Sequence, residues 1–297
     1  MRIMVTGAEG MLGREVVARL SREHEVMGVD IGNFDITDFA ATAAAIGAAA
    51  PDLVCHCAAY TDVDGCERDP LRAFRVNALG TWNVSAACSA ADATLIYIST
   101  DFVFDGEKSE PYTEYDTPRP LGAYGASKLA GERHVRELVA RHFIVRAAWA
   151  FATHGHHNFV LTILRKAREQ PVLRVVADQV GSPTFAGDLA DAIARHLVDL
   201  PAEASAKAGS RLYGTYHITN AGSCSWAELA AETLRLAGSD ARVEPISSKD
   251  WPSRTRRPAY SVLRRLSLEL QGRDDLRPWQ EALAEVVAQV QAHSGRG

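Results

Sequence analysis

Gly7-Ala8-Glu9-Gly10-Met11-Leu12-Gly13 stands between a short apolar run at residues 2–5 and an apolar-periodic stretch at 11–20. The three glycines are spaced GxxGxxG. Glycine permits a tight strand-to-helix turn, lets backbone approach a pyrophosphate, and lets the helix pack close to the strand. The helix that follows offers free N–H groups and a partial positive charge to phosphate. The same spacing also serves a βα turn that binds nothing. A strand before it and a helix after it favour dinucleotide binding.

Working outward, the next apolar run, 25–29, ends at Asp30, 17 residues after Gly13. An acid there accepts hydrogen bonds from adenosine ribose hydroxyls and repels a 2′-phosphate. Asp35 and Ile36 lie just beyond, beside the expected adenine. A third run, 53–57, leads into Cys57-Ala58-Ala59-Tyr60, whose small residues leave room for a cofactor at the carboxyl edge of a sheet. Further strands are expected at 94–99 and 143–146, with helices at 39–49, 70–91 and 123–141. Repeated βα units predict an α/β fold, a Rossmann-type doubly wound parallel sheet. Nearly continuous apolar strands suit a sheet covered on both faces. Residues 1–150 form the expected dinucleotide-binding core. Residues 151–297 form a smaller, mainly substrate-binding region with segments returning to the core. There, strands are expected at 173–177 and 213–218 and helices at 188–199, 225–238 and 278–292. Ser225 and Glu228 have capping-box spacing. The Ala-rich stretch 201–209 reads as a surface connection.

The 297 residues carry a net charge of −5 with 47% hydrophobic and 23% charged residues, which excludes a disordered or fibrous chain. The charge balance speaks against a nucleic-acid protein. No apolar run approaches the roughly 18–20 residues of a membrane helix, so no membrane partner is expected. The N-terminus reaches its glycine turn too early for a signal peptide. Five cysteines without paired CxxC spacing suggest a reduced, cytoplasmic location. Cys55-His56-Cys57 could ligate metal, but alternate side chains of a buried strand face opposite ways, which favours core packing.

Tyr124-Gly125-Ala126-Ser127-Lys128 opens a helix and places a phenol and an ammonium, i and i+4, on one face. A phenol of pKa about 10 is a poor acid at neutral pH. A nearby ammonium and a positive nicotinamide favour the phenolate and lower that value. The pair can then exchange a proton with a carbonyl or alkoxide oxygen. Thr100, at a strand end, can supply a hydroxyl to the same oxygen.

With these motifs the sequence resembles the extended short-chain dehydrogenase/reductase superfamily and, within it, the dTDP-4-dehydrorhamnose reductase family. The likeness rests on Gly7–Gly13, on 57–64, on Ser99-Thr100-Asp101-Phe102-Val103-Phe104-Asp105-Gly106, on 124–128, and on Arg146–Trp149. It continues through His157-Asn158-Phe159, Ala177-Asp178-Gln179-Val180-Gly181-Ser182-Pro183-Thr184, Gly222–Trp226 and Arg257-Pro258, covering nearly the whole chain. The resemblance implies NADH- or NADPH-dependent reduction of the 4-keto group of dTDP-4-dehydro-6-deoxy-L-mannose, or of a close dTDP-4-keto sugar. Tyr124 would donate the proton, Lys128 would hold the nicotinamide ribose, and Thr100 would polarise the ketone. Gly7, Gly10, Met11, Leu12, Gly13, Asp30, Asp35, Ile36, Cys57, Ala58, Ala59, Tyr60, Asn77 and Ser99 would join Tyr124 and Lys128 around the cofactor. Thr100, Asp101, Phe102, Trp149, Asn158 and Arg257 would meet the substrate.

The chain departs from the family at Phe102 and Phe151, where tyrosine is usual, and at Ala147-Ala148, where hydroxyl residues are usual. Each change removes a hydrogen-bonding group from the expected sugar site. Some relatives hold Mg2+ at a dimer contact. Glu15 matches one ligand there, Asp188 is shorter than the usual glutamate, and Glu285 matches loosely. Monomer and homodimer both stay open. The spacing of His154-Gly155-His156-His157 fits no common zinc pattern. The competing function is a non-catalytic nucleotide-binding regulatory subunit, resembling that of methionine adenosyltransferase. An epimerase or dehydratase would need acid/base residues that Asp101 alone does not supply.

Overall fold

The structure, a computed structural model, describes residues 1–155, 158–199, 212–253 and 255–294. Its centre is a six-stranded sheet in the order β2-β1-β3-β4-β5-β10, parallel throughout. The strands are β1 (Arg2–Thr6), β2 (Glu25–Val29), β3 (Leu53–His56), β4 (Thr94–Thr100), β5 (His142–Ala147) and β10 (Gly214–His217). The four residues of β3 are all buried, as a strand covered on both faces requires. One layer contains α1 (Met11–Leu20) and α8 (Ala186–Ile193), packed on Val5, Val16, Ile96, Val145 and Ile193. The other contains α2 (Phe39–Ala49), α5 (Thr81–Ala90) and α6 (Ala123–Leu138), packed around Met4, Ile46, Val84, Leu95 and Ile144. Burying each such side chain stabilises by about 1.5–3 kcal/mol.

Strand order reverses between β1 and β3, and in open α/β sheets ligands bind outside the carboxyl ends of strands at such a point. Gly7, leaving β1, has φ +69°, and a Cβ there would meet Ala58 N at 2.6 Å. The two strand ends are therefore in backbone contact where the order reverses.

The helix expected over 70–91 is three joined segments: α4 (Pro70–Phe74), a π-helical turn (Arg75–Gly80) and α5. Asp69 caps it through Arg72 N, and Pro70 occupies the first turn, where its missing N–H costs nothing. A short helix α3 (Val63–Arg68), capped by Asp62, precedes it and was not expected. The helix at 123–141 stops at Leu138, and the one at 188–199 divides into α8 and a π-helical turn (Ala194–Val198).

The remaining pieces lie outside the six-stranded sheet, and the one at Leu266–Leu270 packs against β10. They are β6 (Ala150–Phe151), α7 (Phe159–Ala167), β7 (Val172–Val176), β8 (Val180–Gly181), β9 (Thr184–Phe185), β11 (Cys224–Ser225), α9 (Trp226–Ala237), β12 (Arg242–Ile246), α10 (Leu266–Leu270) and α11 (Trp279–Ser294). Strands β7 and β12 form a separate parallel pair. Ser225 and Glu228 complete the expected capping box at α9. The connection expected at 201–209 lies outside the described residues. Among those described, no helix is long and apolar enough to cross a membrane.

Candidate active site

The first cavity, about 860 Å³, opens at the reversal point and is lined by Gly7, Gly10, Asp30, Asp35, Ile36, Cys57, Ala58 and Ala59, with Arg72 and Arg75. The N-cap of α1 is Gly10, which has no side chain to satisfy the first N–H groups. A Cβ on Gly13 would stand 2.0 Å from Gly7 O, so helix and turn are in backbone contact. Asp30 accepts from Glu9 N at 2.9 Å and from Ile31 N at 2.8 Å. Its carboxylate thus stands beside the glycine turn. Open helix N–H groups, a bare glycine cradle and a carboxylate at the far end fit a nicotinamide dinucleotide. Gly13→Ala is expected to raise the NAD(P)H dissociation constant at least about tenfold, because the methyl meets rigid backbone. Fluorescence titration reads this, and an unchanged constant would remove the turn from the binding site.

Thr100 closes β4, and Tyr124 stands in the first turn of α6. Tyr124 stands beside Thr100, and Thr100 Oγ1 donates to Asp101 Oδ1 at 3.0 Å and accepts from Phe102 N at 3.2 Å. The Phe102 ring meets Tyr124 edge-on, centroids 5.6 Å apart. Burial pushes the Tyr124 phenol above its ordinary value, the Thr100 hydrogen bond opposes this, and the charge of Asp101 adds to it. The shift is opposite to that expected from the neighbouring ammonium, because desolvation dominates. Lys128 is 2% exposed. Burial draws its ammonium down to about 7, against the upward pull of Glu132 and of Cys57, which lines the first cavity.

Several expected contacts prove to be supports. Asn77 accepts from Tyr60 N at 2.8 Å and donates to Tyr60 O and Ser127 Oγ, both at 3.0 Å. Its amide joins the loop after β3 to α6 and is not free for the cofactor. Ser99 is likewise turned away, donating to Glu132 Oε1 at 2.6 Å. Asp101 is 2% exposed, and besides Thr100 it accepts from Ser261 Oγ at 2.6 Å. Its carboxylate therefore braces Thr100. Burial raises its carboxyl to about 6, against the pull of the Ser261 and Thr100 hydrogen bonds. Asn158 donates to Ala152 O at 2.6 Å and caps α7 through Leu161 N. It is spent on its own loop. Ala147, Ala148 and Phe151 are buried, Phe151 against Phe185, so three of the four departures lie in the core and only Phe102 borders Tyr124. Both ring nitrogens of His56 are engaged, by Thr6 at 2.7 Å and Thr81 at 3.2 Å.

The second cavity, about 960 Å³, is lined by Asp64, Asp105, Phe159, Lys166, Trp226, Lys249, Trp251, Arg256 and Arg257, among others. Trp149, expected at the sugar, stacks on Trp226 with centroids 3.5 Å apart, and Trp226 is the ring that reaches the cavity. Trp149 has φ +45°, a conformation costly for a bulky residue and kept only where packing enforces it. Arg257 pairs with Asp64 at 3.4 Å, and its buried Nε has no partner among the described residues. Aromatic rings beside several cations suit a base and a diphosphate. Phe159 and Trp226 lie in motifs that the sequence singled out but were given no role there, while Lys166 and Lys249 lie in no motif and were missed.

Within one chain, the carboxylates considered for Mg2+ do not converge on a common point among the described residues. Arg277 donates to both Asp188 oxygens, at 2.8 and 2.9 Å, and to Glu285 at 2.6 Å. Glu15 instead faces His154 at 3.6 Å. A guanidinium thus neutralises two of the three acids, and no three potential ligands converge among the described residues. His156 and His157 lie outside those residues.

A family model described as RmlD substrate binding domain matches residues 1–292. A dTDP-4-dehydrorhamnose reductase of Streptomyces griseus is 41% identical, over 99% of this chain and 96% of that protein. Among solved structures, a dTDP-4-dehydrorhamnose reductase of Clostridium acetobutylicum has TM-score 0.89 and 40% identity, covering 98% of this chain and 100% of that one. The Bacillus anthracis enzyme of the same name, solved in complex with NADP, has TM-score 0.90 and 38% identity, covering 97% and 99%.

Proposed function

The chain belongs to the RmlD family of dTDP-4-dehydrorhamnose reductases, and on that premise we propose that Thr100, Tyr124 and Lys128 carry its reaction. It is an NAD(P)H-dependent oxidoreductase that reduces the 4-keto group of dTDP-4-dehydro-6-deoxy-L-mannose, giving dTDP-L-rhamnose. The single observation that carries the residue assignment is the half-buried Tyr124 beside Thr100, whose hydroxyl Asp101 holds in turn, with the Lys128 ammonium one helical turn further along α6.

The nicotinamide, when bound, supplies the hydride to C4. Gly7, Gly10 and the open end of α1 hold the pyrophosphate, and Asp30 takes the adenosine ribose. Tyr124 gives its proton to the oxygen at C4. A phenol whose acidity burial has weakened holds that proton until a stronger base, the developing alkoxide, appears beside it. Thr100 holds the hydroxyl of Tyr124, and Asp101 fixes the Thr100 rotamer. Lys128 donates toward the nicotinamide ribose. Arg257, with Lys166 and Lys249, takes the diphosphate, and Trp226 gives an apolar face to the base.

Purified protein is expected to consume NADH or NADPH only when a dTDP-4-keto-6-deoxy sugar is present, with the product's C4 configuration read by NMR. Failure to oxidise either nucleotide across a panel of such sugars would favour the regulatory-subunit reading instead. Intact Thr100, Tyr124 and Lys128 speak against that reading, since simple nucleotide binding needs no phenol–ammonium pair on one helix face.

A further inference from the structure

Lys128 presents an unusual arrangement for a buried cation. Its side chain lies inside the protein, yet no hydrogen bond or ion pair joins its ammonium to any described residue. What stands beside it is a ring: Nζ lies 4.2 Å from the centroid of Tyr97. Tyr97 is wholly buried on β4. It is anchored at its far end, where its hydroxyl donates to Lys128 O at 3.2 Å. Helix α6 has Gly131 at this contact, and a Cβ there would stand 2.4 Å from the Tyr97 oxygen. The ring, the bare helix face and the lysine backbone thus form one joint between β4 and α6.

We propose that Tyr97 is a positioning residue for the reaction, its ring face holding the Lys128 ammonium charged and aimed at the cofactor site. An aromatic face carries negative potential and attracts a cation most strongly when water is excluded. Glu132 and Cys57 also favour the charged ammonium, but no hydrogen bond or ion pair joins either of them to it among the described residues. Glu132, one turn on, is committed to Arg146 at 2.8 Å through each oxygen, with Ser99 and Arg136 also on it. His56 of β3 is kept neutral, drawn down to about 3 by burial and by the charge of Lys128. Cys57 follows β3, and Tyr124 shares the helix face. The ammonium therefore has an electrostatic neighbour in Tyr97 that competes with none of the hydrogen bonds the cofactor ribose requires.

The proposal rests on the reductase reading for its kinetic consequence, but its electrostatic core is tested without substrate. Tyr97 is replaced by Phe, and then by mono-, di- and trifluorophenylalanine, which keep the shape of the ring while draining its negative face. In each variant the Lys128 ammonium is titrated by carbon-13 NMR of labelled lysine, assigned by its loss in Lys128→Met. Tyr97→Phe is expected to titrate within a few tenths of a pH unit of the parent. The fluorinated series is expected to fall stepwise, by about one pH unit in all, which corresponds to about 1.4 kcal/mol. A weaker hold on the charge means that deprotonation begins at lower pH. The alkaline limb of kcat/KM is then expected to move down by the same amount, with KM for the sugar unchanged. A titration midpoint independent of fluorine content would overturn the proposal. So would a uniform loss of activity with no movement of the limb, which is what a packing role alone produces. Should parent protein show no turnover, the function assignment fails while the NMR series still decides the role of Tyr97.

Discussion

Tyr124→Phe is expected to lower turnover by roughly 10²–10⁴-fold while the NAD(P)H dissociation constant stays within about twofold. The substitution removes one oxygen and leaves the ring, which meets Phe102 edge-on. Cofactor binding depends on the glycine turn and Asp30, which line a cavity that Tyr124 does not. The effect should therefore fall on the chemical step. Burial has raised the phenol above its ordinary value, so the hydroxyl keeps its proton throughout the neutral range. Among the described residues the nearest buried acid, Asp101, reaches this position only through Thr100. Stopped-flow absorbance of the nicotinamide under single-turnover conditions isolates the step. A Phe variant that turns over at the parent rate would place the proton donor elsewhere.

Arg146→Leu should cost about 3–5 kcal/mol of stability, because it strands a buried charge. Glu132 is fully buried, and Arg146, itself 1% exposed, donates to both of its oxygens at 2.8 Å. Burial alone would raise the Glu132 carboxyl, but Arg146, Arg136 and Ser99 outweigh it and hold it below the ordinary value. With Arg146 gone, only the half-exposed Arg136 and the Ser99 hydroxyl remain. For a chain of this size that loss lowers Tm by roughly 10 °C. The pair Arg146→Leu with Glu132→Met is expected to recover most of it, since two apolar residues of similar volume leave no charge unpaired. Urea titrations of the two singles and the double measure the coupling. A double variant no more stable than Arg146→Leu would mean that the loss comes from packing, not from the stranded carboxylate.

This ion pair shows how far a sequence reading reaches. Glu132 lies four residues after Lys128, as Lys128 lies four after Tyr124, so one helical face carrying all three could be read from spacing. That Arg146 meets Glu132 could not, because it depends on how α6 packs across the strands of the sheet. Ser99 pairs with Arg146, and Arg146 with His217 on β10, which makes a row of polar groups across three strands. Adjacent strands place these residues together although 47 and 71 positions separate them in the chain. The same limit explains Asn77, Ser99 and Asn158. Each is near the site in sequence, but their hydrogen bonds go to backbone or to other supports, which only the folded chain reveals.

The sequence by itself determined the parallel sheet, the dinucleotide turn, the helix face of Tyr124 and Lys128, and the family. These depend on local periodicity and on short motifs whose geometry the backbone dictates within a few residues. Tertiary structure alone decided that burial drives the Tyr124 acidity down despite the ammonium nearby, that Arg277 occupies the carboxylates considered for Mg2+, and that Trp226, not Trp149, reaches the second cavity. Desolvation, ion pairing and ring stacking each depend on which distant segments exclude water from the same point, and spacing along a chain carries no measure of that.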